Sequence, residues 1–345
     1  MYITRLETGS VLYGKLPKGC ELCQRGLKSV IFVTGLCPAS CFYCPISLDR
    51  RKDVTFINER KISNIKEILV EVIRSASLGV SLTGGDPLAR PDKTLRIINL
   101  LKNYFGAKFH IHLYTSGINL SLRILKKLEN AGLDEIRIHP TTEYIFKKLP
   151  VLVKDTSINL GIEIPMLPGT VNKTFNNIKF FEKIGVKFVN LNELEFSETN
   201  AVALLERGYT MNENYISVRN SKEDAIDVIK LAAKEQLEIS IHFCPIEVKD
   251  RYQTSLRLFR RANVVSSIFH KITDEGTIIM VEVKSSKDLL RHIPTGLIIK
   301  KSKNTYITSI DYVDYIKKID NKAEFFILEK LASHDKLLVE KIKID

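Results

Sequence analysis

A chain of 345 residues exceeds the usual size of one compact core, so one large domain with a smaller appendage is expected. With 44% hydrophobic and 27% charged residues it is not a wholly disordered chain, and no run approaches the roughly 18 apolar residues that a membrane span needs. The formal charge of +12 favours encounters with anionic partners such as RNA, and it equally suits a Lys- and Ile-rich source composition. The first residues lack an apolar signal segment, so the expected location is the cytoplasm.

Residues 1–28 form an N-terminal extension that carries a CxxC, Cys20 and Cys23. From residue 29 short apolar runs alternate with amphipathic stretches. Ser29–Thr34 reads as a buried strand, Ile62–Ser77 as a helix with Ile65, Ile68, Leu69, Val72 and Ile73 on one face, and Val80–Thr83 as a second strand. Asp92–Tyr104 has helical spacing. Further strands are predicted at Phe109–Tyr114, Glu135–His139, Ile158–Ile164 and Phe188–Leu191, with helices around Ser121–Ala131, Asn172–Ile184 and Lys222–Glu235 and a seventh apolar run at Leu237–Phe243. The alternation predicts parallel βα units joined by right-handed crossovers: an α/β fold, a partial or full (β/α) TIM-like barrel over residues 29–262, with its chemistry at the C-terminal strand ends. Residues 263–345 are expected to form a small α+β domain. Its strands are predicted at Gly276–Val283 and Gly296–Lys300, and its end as a Lys-rich helix containing Phe325, Phe326, Leu328, Leu331 and Leu337.

Of six cysteines, five fall between Cys20 and Cys44, and such clustering points to metal rather than to a disulfide scaffold. Cys37, Cys41 and Cys44 stand at CxxxCxxC spacing just beyond the first predicted strand, with Phe42 and Tyr43 before the last. Three thiolates can hold three irons of a 4Fe-4S cube and leave the fourth open to a small molecule. Zinc knuckles prefer paired CxxC units and a fourth ligand.

With this spacing the sequence resembles a radical S-adenosylmethionine (SAM) core. The segments GCELC (19–23), LTGGDPL (82–88) and LNELEFSETN (191–200) make it similar, more narrowly, to archaeal proteins related to the pyruvate formate-lyase activating enzyme. The resemblance implies an oxidoreductase whose cluster reductively cleaves SAM to a 5′-deoxyadenosyl radical that abstracts hydrogen from an unidentified substrate. Ferredoxin or flavodoxin would donate the electron. The family likeness favours a glycyl-radical activase or peptide modifier, and the basic charge an RNA-modifying enzyme.

By position, the resemblance puts Tyr43 near the adenine and Gly84, Gly85, Asp86 and Pro87 at the SAM amino group, with Asp86 where the family usually has Glu. It puts Ser116, within TSG (115–117), at the ribose or methionine part, and Ile164, with Pro165, against the adenine. Arg137, from its strand-end position, is expected to bind the SAM carboxylate as a bidentate partner. It shares the rim with His139, Asn192, Glu193 and Glu195. Alternation of His110, His112 and Tyr114 with apolar residues gives the third strand one polar face.

Cys20, Cys23 and Cys244 together with His242 would make a tetrahedral zinc set. The three thiols alone could hold a second iron–sulfur cluster, and a separate CxxC site or plain buried thiols stay open as readings. Cys23 precedes the first strand, so about six residues at roughly 3.3 Å each would have to span the barrel. After Cys244, helical spacing would set Lys249, Gln253, Arg257 and Arg260 on one face, suited to a phosphate or carboxylate. The rival to the enzyme is a non-catalytic zinc-containing nucleic-acid-binding protein.

Overall fold

The computed structural model describes residues 1–344. The chain divides into two compact units, one of Met1–Val70 with Ser77–Gln253, the other of Glu71–Ala76 with the chain from Thr254 onward. No helix among the described residues is long and apolar enough to cross a membrane.

The first unit contains, in chain order, β1 (Ile3–Arg5), β2 (Val11–Tyr13), α1 (Lys18–Gln24), β3 (Lys28–Thr34), β4 (Thr55–Ile57) and β5 (Arg60–Ile62). After α2 (Glu67–Arg74), which runs on into the second unit, come β6 (Gly79–Gly84), α3 (Pro91–Phe105), β7 (His110–Thr115), α4 (Leu122–Asn130), β8 (Glu135–Ile138) and α5 (Glu143–Lys154). β9 (Asn159–Met166), α6 (Val171–Lys183), β10 (Phe188–Glu193), α7 (Ala201–Leu205), α8 (Ser221–Lys234) and β11 (Ser240–Cys244) complete it.

Seven strands pair in parallel in the order β3-β6-β7-β8-β9-β10-β11. The two ends do not join. The β4–β5 hairpin adds antiparallel to β3, and the β1–β2 hairpin, from within the expected extension, adds antiparallel to β11. The barrel is therefore partial, and the fully closed alternative does not apply.

The pleat assigns every strand residue to one of two faces. One face carries Ile31 and Val33, Val80 and Leu82, Ile111 and Leu113, Ile136 and Ile138, Leu160 and Ile162, Val189 and Leu191, Ile241 and Phe243, all fully or almost fully buried. The other carries Lys28, Ser81, Thr83, Tyr114, Arg137, Glu163, Asn190, Asn192 and Cys244, which line one cavity although they come from both ends of the parallel run. The sheet is thus curled around a polar lumen. Apolar positions are what the sequence reads as strands, and polar positions are what the fold uses.

The second unit holds α9 (Ser255–Val265), β12 (Lys271–Ile272), β13 (Thr277–Lys284), β14 (Ile298–Ser302), β15 (Thr305–Thr308), α10 (Val313–Ile319), β16 (Glu324–Leu331) and β17 (Leu338–Ile344). Its sheet is antiparallel, in the order β14-β15-β13-β16-β17 with β12 on β13. The helix predicted over Phe325–Leu337 is instead the pair β16 and β17. Phe325 packs into a cluster with Val281, Val283 and Tyr306, whereas Leu328 joins Ala262, Ile278 and Met280 on the opposite face. A strand apolar on both faces has no period-2 signature, which is why its sequence resembles a buried helix. The row from Lys249 to Arg260 is not one helical face either, because Val248–Thr254 is wound as a π-helix before α9 begins.

Arg261 of α9 is buried and pairs with Glu71, itself buried, through two hydrogen bonds of 2.8 and 3.0 Å, and also donates to the carbonyls of Ala332 and Ser333. Removing the charge of one partner strands the other in a dry interior. Glu71→Gln is expected to lower unfolding free energy by about 3 to 5 kcal/mol. The Glu71→Met/Arg261→Met double variant is expected to lose less. Denaturant titration of both variants checks this, and equal losses would contradict it.

Candidate active site

β3 ends at Thr34, and the chain enters a loop that carries Cys37, Cys41 and Cys44. Backbone bonds fix its root: Gly85 N–H donates to the Thr34 carbonyl at 2.8 Å, Asp86 N–H to the Leu36 carbonyl at 2.8 Å, and Gly35 N–H to the Lys52 carbonyl at 2.9 Å. Side chains have no room at this junction. A Cβ on Gly85 would lie 2.5 Å from the Leu36 carbonyl oxygen and 2.6 Å from that of Gly35, and Gly84, at φ +136°, would place one 2.2 Å from the Thr34 carbonyl oxygen.

Asp53 secures the far side of the loop, accepting from Lys93 at 2.6 Å, Arg90 at 2.8 Å and the Thr34 hydroxyl at 2.9 Å. Lys93 foremost among these donors pulls its carboxyl down to about 2. The segment with the last two cysteines is tied down elsewhere. Asn200 donates to the Tyr43 carbonyl at 3.0 Å, and the Thr199 hydroxyl to the Cys44 carbonyl at 3.2 Å. The LNELEFSETN segment thus anchors the loop, a role that nothing in its composition announces.

The three thiols line a cavity of about 580 Å³ together with Tyr43, Gly84, Gly85, Thr115, Ser116 and His139. Burial pushes the Cys37 and Cys41 thiols up, so a metal that binds them as thiolates displaces protons. The Tyr43 hydroxyl meets His139 Nε2 at 2.7 Å, while His139 Nδ1 meets the Glu163 carbonyl at 2.8 Å. Burial holds the imidazole pKa down, so it is neutral: Nδ1–H donates to the carbonyl and Nε2 accepts from the tyrosine.

Four residues expected at SAM, namely Asp86, Pro87, Arg137 and Ile164, do not line this cavity. Asp86 and Pro87 are buried and off the cavity wall. The Asp86 carboxylate instead accepts from Leu88 N–H at 2.9 Å, the Thr115 hydroxyl at 3.0 Å, Ser116 N–H at 3.0 Å and the Ser116 hydroxyl at 2.6 Å, which couples the end of β6 to the end of β7. Arg137 is also not at this cavity. Its donors are taken by Glu135, Glu163 at 3.1 Å, Tyr114 at 3.2 Å and the Cys20 sulfur at 3.2 Å. Ile164 lines none of the cavities around the site, because strand alternation turns Glu163 and Pro165 inward and Ile164 the other way.

Two further cavities continue from the first. A middle one of about 300 Å³ is lined by Arg137, His139, Glu163, Asn192, Glu193, Glu195 and Lys249, among others. The lumen chamber of about 260 Å³ is lined by Cys20, Cys23, Lys28, Asn190, Cys244 and Gln253 among others, and Thr83 and Tyr114 border all three spaces. His242 is not on the chamber wall; its ring nitrogens face Asn190 at 3.2 Å and Gln24 at 3.5 Å. His112 is fully buried with neither ring nitrogen partnered, beside His110 and Glu135. Sequence reasoning missed Glu163, Asn190 and Lys28. Asn190 and Asn192, two polar residues on one face of an otherwise apolar strand, were the signal for that face, and Lys28 carried none.

The model of the radical SAM superfamily matches residues 31–191. A protein of Methanocaldococcus jannaschii named "Putative glycyl-radical enzyme activating enzyme" is 36% identical over 280 residues, covering 77% of this chain and 73% of its own. The PqqA peptide cyclase of Methylobacterium nodulans is 31% identical over 108 residues, 31% of this chain and 26% of that protein. Among solved structures, Streptococcus suis SuiB bound to precursor peptide SuiA matches with a TM-score of 0.48 and 11% identity over 75% of this chain and 61% of that one. Native anSMEcpe with bound AdoMet and Kp18Cys peptide matches with a TM-score of 0.45 and 16% identity over 73% and 72%. The family model and the Methanocaldococcus jannaschii relative set aside the non-catalytic zinc protein: the chain belongs to the radical SAM superfamily, and is an enzyme that works with a 4Fe-4S cluster and SAM.

Proposed function

We propose that Cys37, Cys41 and Cys44 hold the 4Fe-4S cluster, that SAM occupies the cavity beside them, and that the substrate is a protein or peptide presented through the middle cavity. The observation that carries this is one wall shared by three thiols, two bare glycine backbones and the Ser116 hydroxyl. Held by Cys37, Cys41 and Cys44, a cluster would supply the one-electron reduction of SAM from which radical hydrogen abstraction follows.

The chain's own residues orient and enclose. Gly84 and Gly85 let their peptide groups approach a ligand closely, and Asp86 fixes Thr115 and Ser116 from behind as a positioning residue. The neutral Tyr43–His139 pair forms a rigid side wall. In the middle cavity Glu163 is held by Asn192 and Asn190, each at 2.7 Å, so the lining is polar and preorganised. The names of two relatives, a glycyl-radical enzyme activating enzyme and a peptide cyclase, support a polypeptide substrate over RNA. An electron donor of the ferredoxin or flavodoxin type, in the cytoplasm, fits this chemistry.

Reduced wild-type protein given SAM is expected to form 5′-deoxyadenosine, and the Cys37→Ala/Cys41→Ala/Cys44→Ala variant none. Stimulation of that activity by cell extract is expected to disappear after protease and to survive nuclease. Loss with nuclease alone would make RNA the substrate. Gly85→Ala is expected to load several-fold less iron than wild type with unchanged circular dichroism, because its Cβ meets the loop backbone; full loading would contradict the proposed role of this junction.

A further inference from the structure

The remaining cysteines come together inside the lumen. α1 runs across the N-terminal ends of the strands, where Gly19 packs against His112 and Arg137, and it turns the buried Cys20 and Cys23 toward the chamber. Cys244 closes β11, more than 200 residues later, and lines the same chamber. The span that the loop before β3 would need to reach the rim does not arise. The thiols meet within the barrel, not above it.

We propose that Cys20, Cys23 and Cys244 are the ligands of a second iron–sulfur cluster, seated in the lumen and separate from the one at Cys37, Cys41 and Cys44. Four features of the chamber carry this. Its three thiols come from two segments distant in sequence, which local turn chemistry does not explain. A cube with one open iron takes three protein thiolates, whereas a structural zinc ion takes four ligands. His242 does not complete a zinc set with these thiols, since its ring nitrogens face Asn190 and Gln24.

The chamber is also electrostatically prepared for an anionic cluster. Arg137, Lys28 and Lys249 border it against one carboxylate, Glu163. Arg137 Nη2 and Asn190 Nδ2 both point at the Cys20 sulfur, at 3.2 and 3.4 Å, the kind of N–H···S contact that orients a ligand and tunes a cluster. Three protein ligands leave one iron without one, and Thr83, Tyr114, Glu163 and Asn192 line both the chamber and the middle cavity. The proposal rests on these residues and not on the assignment of the other three thiols.

The test compares anaerobically purified wild type with two variants, Cys37→Ala/Cys41→Ala/Cys44→Ala and Cys20→Ser/Cys23→Ser/Cys244→Ser, and with Cys244→Ser alone should the triple change disturb folding. Iron, zinc and acid-labile sulfide are counted, and the reduced proteins are examined by electron paramagnetic resonance. The first variant is expected to keep about four irons with sulfide and a cluster signal. The lumen variants are expected to lose that signal and its iron while keeping the remainder. Zinc without sulfide in the first variant, or no metal at all, overturns the second cluster. Iron unchanged in the lumen variants overturns it too and leaves the proposed function standing, whereas iron unchanged in the first variant undermines the proposed function alone.

Discussion

Arg137 is the buried charge around which the lumen is organised. A guanidinium taken out of water costs several kcal/mol unless its donors are paired, and here they reach Glu135, Glu163, Tyr114 and Cys20. Glu163 in turn accepts from Asn190 and Asn192. The network therefore fixes the inward side chains of β7, β8, β9 and β10 at once. A half-satisfied version of it would be worse than an apolar core, which makes the inner face all or nothing. Arg137, expected from the sequence as a carboxylate clamp, is placed by the structure in this network, off the wall of the cavity at the three thiols.

At the C-terminal ends the organising force changes from side-chain charge to backbone. The loop with Cys37, Cys41 and Cys44 is joined to the Gly84-Gly85-Asp86 turn by main-chain hydrogen bonds, and the Asp86 carboxylate carries the same register on to Thr115 and Ser116. Three strand ends are thus tied together. Asp in place of the usual Glu suits this arrangement, because its short side chain caps Leu88 N–H while reaching Ser116.

Much of this was legible in sequence, for physical reasons. The seven parallel strands of the first unit were found because one face of each is apolar at period two, and the cysteine loop stood out because its thiols are local. What the pattern conceals is the curl of the sheet, which alone brings Lys28 of the first parallel strand next to Cys244 of the last. Ile164 fails by a single residue, since apolarity marked the outward position and not the lining one. β16 was misread because a strand covered on both faces loses the alternation that distinguishes it from a helix. The hairpins β1–β2 and β4–β5 were missed because three-residue strands carry no period.

In the proposed function SAM occupies the cavity walled by Thr115 and Ser116, which Asp86 positions. SAM binding to the reduced, iron-loaded protein, followed by the change it causes in the cluster's electron paramagnetic resonance, compares wild type with Asp86→Asn. The amide keeps the size of the carboxylate but turns an N–H₂ toward donors. Iron content like wild type with SAM affinity lowered roughly tenfold, about 1.4 kcal/mol, is the predicted result. Unchanged affinity at full iron loading would contradict it.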